Sequence, residues 1–233
     1  MEHKIVTSGS RAVSSESDFI SKVYLWMSLG LAVSAIASAW LLTQPALLKA
    51  IFTNGILLIG IVLVELGLVF WLSARAMHMS PTAATGAFLG YSFLNGITLT
   101  SIFLVYTGAS ILTTFAVATG TFFFFSVYGR TTQRDLTNVG GIAMMGLIGI
   151  VIASLVNLFL KSSGLMWATT FIGIAVFMAL IAYDTQKLKE MYAAGAQDAA
   201  SEKKLAILGA LRLYLDFINL FLMLLRIFGK GRD

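Results

Sequence analysis

The sequence predicts an all-α polytopic membrane protein, a seven-transmembrane-helix bundle. Three observations carry this reading. Of 233 residues, 58% are hydrophobic and only 12% charged, whereas a soluble domain carries about 25% charged residues. The mean hydropathy is +0.87. Seven apolar runs follow one another, each close to the ~20 residues that a helix needs to cross hydrocarbon. Their apolar residues run on without period-two alternation, which argues against membrane strands.

Residues 1–21 are polar and mixed in charge, without the apolar core and small-residue cleavage site of a signal peptide. They are expected to form a mobile polar tail, leaving residues 22–233 as a single membrane domain. The runs are Val23–Leu42, Gly55–Ser73, Ala83–Tyr106, Ile111–Tyr128, Val139–Leu160, Leu165–Tyr183 and Leu205–Phe228. Gln44-Pro45 and Ser80-Pro81 mark breaks, and Gly129–Asn138 is a tight basic loop. The segment Thr185–Lys204 is longer and charged, and is expected to continue as exposed helix.

Seven spans put the termini on opposite sides. Lys4, Arg11, Lys22, Arg75, Arg130, Arg134, Lys187, Lys189, Lys203 and Lys204 fall on the N-terminal side. Lys49, Lys161, Arg226, Lys230 and Arg232 fall on the other. The excess favours a cytoplasmic N-terminus. The basic C-terminal end runs against it, and a last segment that dips in and returns would remove the conflict.

The net charge of +5 therefore reads as topology rather than nucleic-acid binding. With no cysteine, disulfides, thiol nucleophiles and thiolate metal sites are excluded. The two histidines, His3 in the tail and His78 in a loop, are too few for a zinc hydrolase. A retinal protein needs a lysine in the last span, and Leu205–Phe228 has none. No G-x-S-x-G elbow or P-loop is present, so no enzymatic activity or cofactor is expected.

Small residues supply close helix contacts. Gly30, Ser34 and Ser38 repeat at four-residue spacing in the first span, and Gly86 and Gly90 form a GxxxG in the third. Packing within the chain is the expected use of both. The Phe122–Phe125 run is expected to face lipid or fill space.

The polar residues inside the spans carry the functional question. An ionisable side chain at membrane depth is costly and normally has a partner or a task. Arg212, Asp216 and Asn219 lie well inside the last run, and Asp184 closes the sixth. Eleven residues into the seventh run, Asp216 sits about 16 Å from its start at ~1.5 Å per residue. Glu65 in the second run and Tyr91 and Asn95 in the third reach a comparable level, which suggests one buried hydrophilic pocket. Two carboxyl groups in a low-dielectric site cannot both ionise cheaply, so they share a proton and act as a switch. Ionised, they would present oxygens to a hard cation such as calcium, with the Asn219 amide and backbone carbonyls. The other reading pairs Asp216 with Arg212, one turn earlier on the same helix.

The run Leu213-Tyr-Leu-Asp-Phe-Ile-Asn-Leu-Phe, followed by Leu224-Leu-Arg-Ile-Phe-Gly, resembles the Bax-inhibitor-1 (transmembrane Bax inhibitor motif) family. Ala182-Tyr-Asp-Thr-Gln, Gly96-Ile-Thr-Leu-Thr-Ser-Ile-Phe with Tyr106-Thr, and Thr132-Gln-Arg-Asp-Leu resemble its other signatures. The resemblance covers nearly the whole chain after the tail and is nearest to bacterial inner-membrane members. It implies a bundle with the last helix central and a pH-sensitive calcium leak governed by an aspartate pair. That pair carries over onto Asp184 and Asp216 as gate and calcium site. It also implies, for some members, suppression of cell death or modulation of a membrane protease. The implied partners are thus the lipid bilayer, calcium or other cations, and another integral membrane protein.

Two positions depart from the family. Members carry a small residue where this chain has Arg212, and a cation one turn from Asp216 favours its charged form. That would shift the pH of gating or weaken cation binding. A basic residue that latches the pair in some members corresponds to Ser73, with Arg75 two positions on.

Overall fold

The computed structural model describes residues 16–194 and 198–232 in full, and residues 2–15 and 195 by backbone alone. The expected tail, 1–21, thus lies mostly outside the fully described residues. Among the described residues eight α-helices follow in order: α1 (Glu2–Leu42), α2 (Pro45–Thr53), α3 (Gly55–Arg75), α4 (Pro81–Val105), α5 (Gly108–Thr131), α6 (Thr137–Leu160), α7 (Ser163–Gly195) and α8 (Ala199–Phe228). All but α2 are long and apolar enough to cross a membrane. The chain is an all-α polytopic membrane protein with seven candidate spans.

Local chemistry sets the ends. Asn54 caps α3 by accepting from the N–H groups of Ile56 and Leu57 at 3.1 and 3.2 Å, filling donors that a helix start leaves open. Ser80 does the same for α4 through Ala83 N at 3.2 Å, with Pro81 at the first helical position. α6 stops at Lys161, whose φ of 50° is left-handed.

Three boundaries differ from the hydropathy reading. The first span reaches back past Val23 to include Phe19 and Ile20, which are buried, and Phe19 packs on Tyr192 with ring centroids 5.1 Å apart. Pro45 opens a helix rather than merely breaking one. Leu48, Ile51 and Phe52 of α2 pack on Ala37, Leu41 and Ile97. The charged stretch after Tyr183 is helical to Gly195 and again from Ala199, and within it Thr185 and Leu188 are buried rather than exposed. α8 is one uninterrupted helix, so a segment that dips in and returns is not found.

The helices gather into two compact units. One comprises Met1–Ser101 with Leu188–Tyr214, the other Ile102–Lys187 with Leu215–Asp233. In the first, α1 and α4 meet through small residues. Ser34 Oγ donates to Ser92 O at 2.7 Å or to Gly30 O at 3.0 Å, and Ser38 Oγ donates to Gly96 O at 2.5 Å. A Cβ at Gly96 would collide with the Ser34 backbone. Gly86 and Gly90, by contrast, have open space where a Cβ would stand, so the GxxxG does not pack within the chain. At the end of this unit Lys22 pairs with Glu202 at 2.6 Å, and Lys204 Nζ donates to Met77 O at 2.8 Å.

In the second unit, Phe217 is boxed by Phe115 and Phe122, at 5.3 and 5.7 Å between centroids. Phe123 and Phe124 are exposed, so the Phe run fills with one ring and faces lipid with two. α8 is the most buried of the seven spans, two-thirds of its apolar window being covered against 11–39% for the others.

The chain's end straps down the α4–α5 turn. Thr107 N donates to Lys230 O at 3.0 Å and Arg232 N to Val105 O at 2.9 Å. Arg232 Nη1 donates to Phe103 O at 2.7 Å. At about 0.5–1.5 kcal/mol net for each of the three hydrogen bonds, truncation after Phe228 should cost roughly 1.5–4.5 kcal/mol. A melting curve of the detergent-solubilised protein checks this, and an unchanged Tm would contradict it.

Candidate functional site

The sequence-selected residues fall into two groups by unit. Glu65, Tyr91 and Asn95 belong to the first. Glu65 and Tyr91 are buried, and Asn95 Nδ2 donates to Glu65 Oε2 at 3.4 Å. The centre of this group is a residue that hydropathy did not single out, Tyr214 of α8. Its hydroxyl donates to Asn95 Oδ1 at 2.9 Å and lies 2.7 Å from Ser34 Oγ. Its ring meets Tyr91 and Phe88 edge-on at 5.9 and 6.0 Å. A buried tyrosine usually finds a partner for its hydroxyl, and that rule was the available signal. Arg75 stands exposed at the end of α3, and Arg212 is an exposed position on an otherwise buried stretch of α8.

Asp184, Asp216 and Asn219 belong to the second unit. Asp184 is 8% and Asp216 6% exposed. A Cβ on Gly173 of α7 would stand 3.2 Å from Met223 Sδ of α8, so the two helices pass close there. Asp184 lies eleven residues after Gly173 and Asp216 seven before Met223. Asn219 Nδ2 donates back to Leu215 O at 2.8 Å. It also lines a half-open apolar groove with Ser154, Phe177 and Met223.

The surroundings of Asp184 are built by close approach. A Cβ on Gly129 of α5 would run into the Ala182 carbonyl, and one on Gly140 of α6 into the Tyr183 ring. Only glycine lets both helices close on α7 here. One residue beyond Asp184, the Thr185 hydroxyl lies 3.2 Å from Ser126 Oγ. Gln186 then clamps the α5–α6 turn from both sides, accepting from Leu136 N and donating to Arg134 O, each at 2.8 Å. Two of the sequence signatures, Ala182-Tyr-Asp-Thr-Gln and Thr132-Gln-Arg-Asp-Leu, are thus two halves of one joint. Asp135 of that turn accepts from Thr137 N at 2.8 Å. Hydrogen bonds from the Thr137 hydroxyl and then its N–H hold the exposed Asp135 carboxyl below the usual range.

A family model described as "Inhibitor of apoptosis-promoting Bax1" matches residues 16–233. The chain belongs to the Bax inhibitor-1 family. It is 51% identical over 215 residues to the inner membrane protein YbhL of Escherichia coli (strain K12), covering 92% of each chain. An uncharacterized protein of Borreliella burgdorferi is 44% identical over 216 residues, with 92% of this chain and 93% of that one covered. Bax inhibitor-1 proteins are non-enzymatic membrane regulators. Among the described residues, no group of three or more His, Asp or Glu side chains is placed to hold a metal ion.

If Gln186 holds the turn, Gln186→Ala should free it at a cost of about 1–3 kcal/mol for two lost hydrogen bonds. Limited trypsin digestion should then cut faster after Arg134, and unaltered cleavage kinetics would count against the joint.

Proposed function

We propose that this Bax inhibitor-1 protein is a pH-sensitive leak for calcium or similar cations, with Asp184 and Asp216 as gate and ion site. The observation that supports the reading is that Asp184 and Asp216, on consecutive helices, are both buried. With one proton between them, the pair is a neutral hydrogen-bonded plug. Without it, the two charges repel, and their oxygens face a hard cation. Two carboxylates do not complete a calcium shell, so the passing ion would draw its other ligands from backbone carbonyls, Asn219 and water.

The chain is assigned to the bacterial inner membrane, as the name of its Escherichia coli relative states for that protein. The Lys and Arg excess supports a cytoplasmic N-terminus.

Calcium uptake into proteoliposomes should rise as pH rises through the titration of the pair. Asp216→Asn, which cannot ionise, should abolish that dependence. Equal flux and an equal pH profile in the mutant would sink the gate.

A second reading has its own observation. The Gly86–Gly90 face of α4 is a helix-packing surface that no other helix covers among the described residues. It suits a regulator that binds another integral membrane protein, such as a membrane protease. Gly86→Leu with Gly90→Leu should then abolish co-purification of that partner while leaving calcium flux intact. Retained co-purification would remove this reading.

A further inference from the structure

α3 gives nearly its whole surface to lipid, and its buried residues are Glu65 and Leu72. A helix so placed would be expected to turn only apolar side chains inward. Instead it turns in an acid, 8% exposed. Its Oε2 accepts a long hydrogen bond from Asn95 Nδ2, at 3.4 Å, and the Thr98 hydroxyl lies beside the carboxyl as a second neutral donor. Oε1 is buried with no hydrogen-bond partner. Among the described residues no Lys, Arg or His forms an ion pair with it. The titratable groups facing Glu65 are the phenols of Tyr91 on α4 and Tyr214 on α8. Neither brings a positive charge. From α1 comes the Ser34 hydroxyl, through Tyr214.

A carboxylate here would keep a full charge in a low-dielectric site, with only the neutral Asn95 amide and Thr98 hydroxyl beside it and no cation. Burying an unpaired charge is far costlier than leaving one hydroxyl unsatisfied. We propose that Glu65 is carried as a neutral carboxylic acid, its proton on Oε1. It is a second proton-binding site of the chain and a site of modification by membrane-soluble carbodiimides. This inference stands apart from the aspartate reading and survives its failure.

The geometry also says what the proton is connected to. Asn95 gives its N–H to Oε2 and takes the Tyr214 O–H on Oδ1. The charge state of an acid on α3 is therefore reported, through one amide, to a hydroxyl on α8. An amide has fixed donor and acceptor ends, so this chain has a defined polarity.

The modification step balances without a further reagent. The acid O–H adds across one C=N bond of the carbodiimide, its proton going to nitrogen and its oxygen to the central carbon. The acyl group then moves from oxygen to nitrogen, giving an N-acylurea that retains the whole reagent. An ionised carboxyl lacks the proton this addition needs.

The test uses the full chain in phospholipid vesicles, treated with dicyclohexylcarbodiimide and digested for mass spectrometry. At about pH 7.5, where exposed carboxyls are ionised, the Glu65 peptide should carry more than an order of magnitude more label than those of Asp135 and Asp198. Its mass should rise by one whole reagent molecule. In Glu65→Gln the label on that peptide should vanish, and the wild-type-minus-mutant infrared spectrum should show a carboxylic-acid C=O band. No label on Glu65 in the folded wild type, or carboxylate bands in that difference spectrum, would overturn the proposal. The wild-type labelling decides the matter even if the mutant does not fold.

Discussion

Hydrocarbon offers no hydrogen bonds, so every polar group within a span must find its partner in the protein. Most hydroxyls here meet that constraint within their own helix. Thr85, Thr113, Thr119 and Thr121 each return to the carbonyl four residues back, which costs the fold nothing and directs nothing. A few reach across instead. Ser38 to Gly96 O, Tyr214 to Asn95 and Gln186 to the α5–α6 turn join different helices. Those are the bonds that make the packing specific, because apolar contact between helices is hardly distinguished from contact with lipid.

Close approach is the other half of that specificity. Where a glycine faces a neighbouring backbone or ring, as at Gly129 and Gly140, the helices are drawn to a distance that larger residues forbid. Both glycines act on α7 in the turn before Asp184. The buried acid is thus held by helices on two sides, and its position is not left to a flexible loop. A charge-bearing group intended to switch needs such fixed surroundings, since its energy depends steeply on what lies within a few ångströms.

Much of this was legible in the sequence. All seven spans were found from apolar length alone, since a run such as Val139–Leu160 admits no other reading. The burial of Asp184, Asp216 and Glu65 followed from their positions inside such runs. α2 was missed because nine residues are too few to register as a span, and Pro45 signals a helix start as well as a break. Tyr214 and Gln186 were missed for a different reason. Each sits in a motif that was read for its aspartate, and hydropathy says nothing about where a hydroxyl or amide points. The Gly86–Gly90 pair shows the limit of spacing rules. The same pattern serves contacts inside the chain and contacts with other chains, and the choice depends on which side of α4 the bundle covers.

The heavy burial of α8 bears on how the molecule is made. Both units draw on this helix, Ala199–Tyr214 completing one and Leu215–Phe228 the other. Without it, Asn95, Ser34 and the rings of Phe115 and Phe122 lack the partners that α8 brings. A product interrupted before α8 therefore has neither unit complete, a ready mark for quality control.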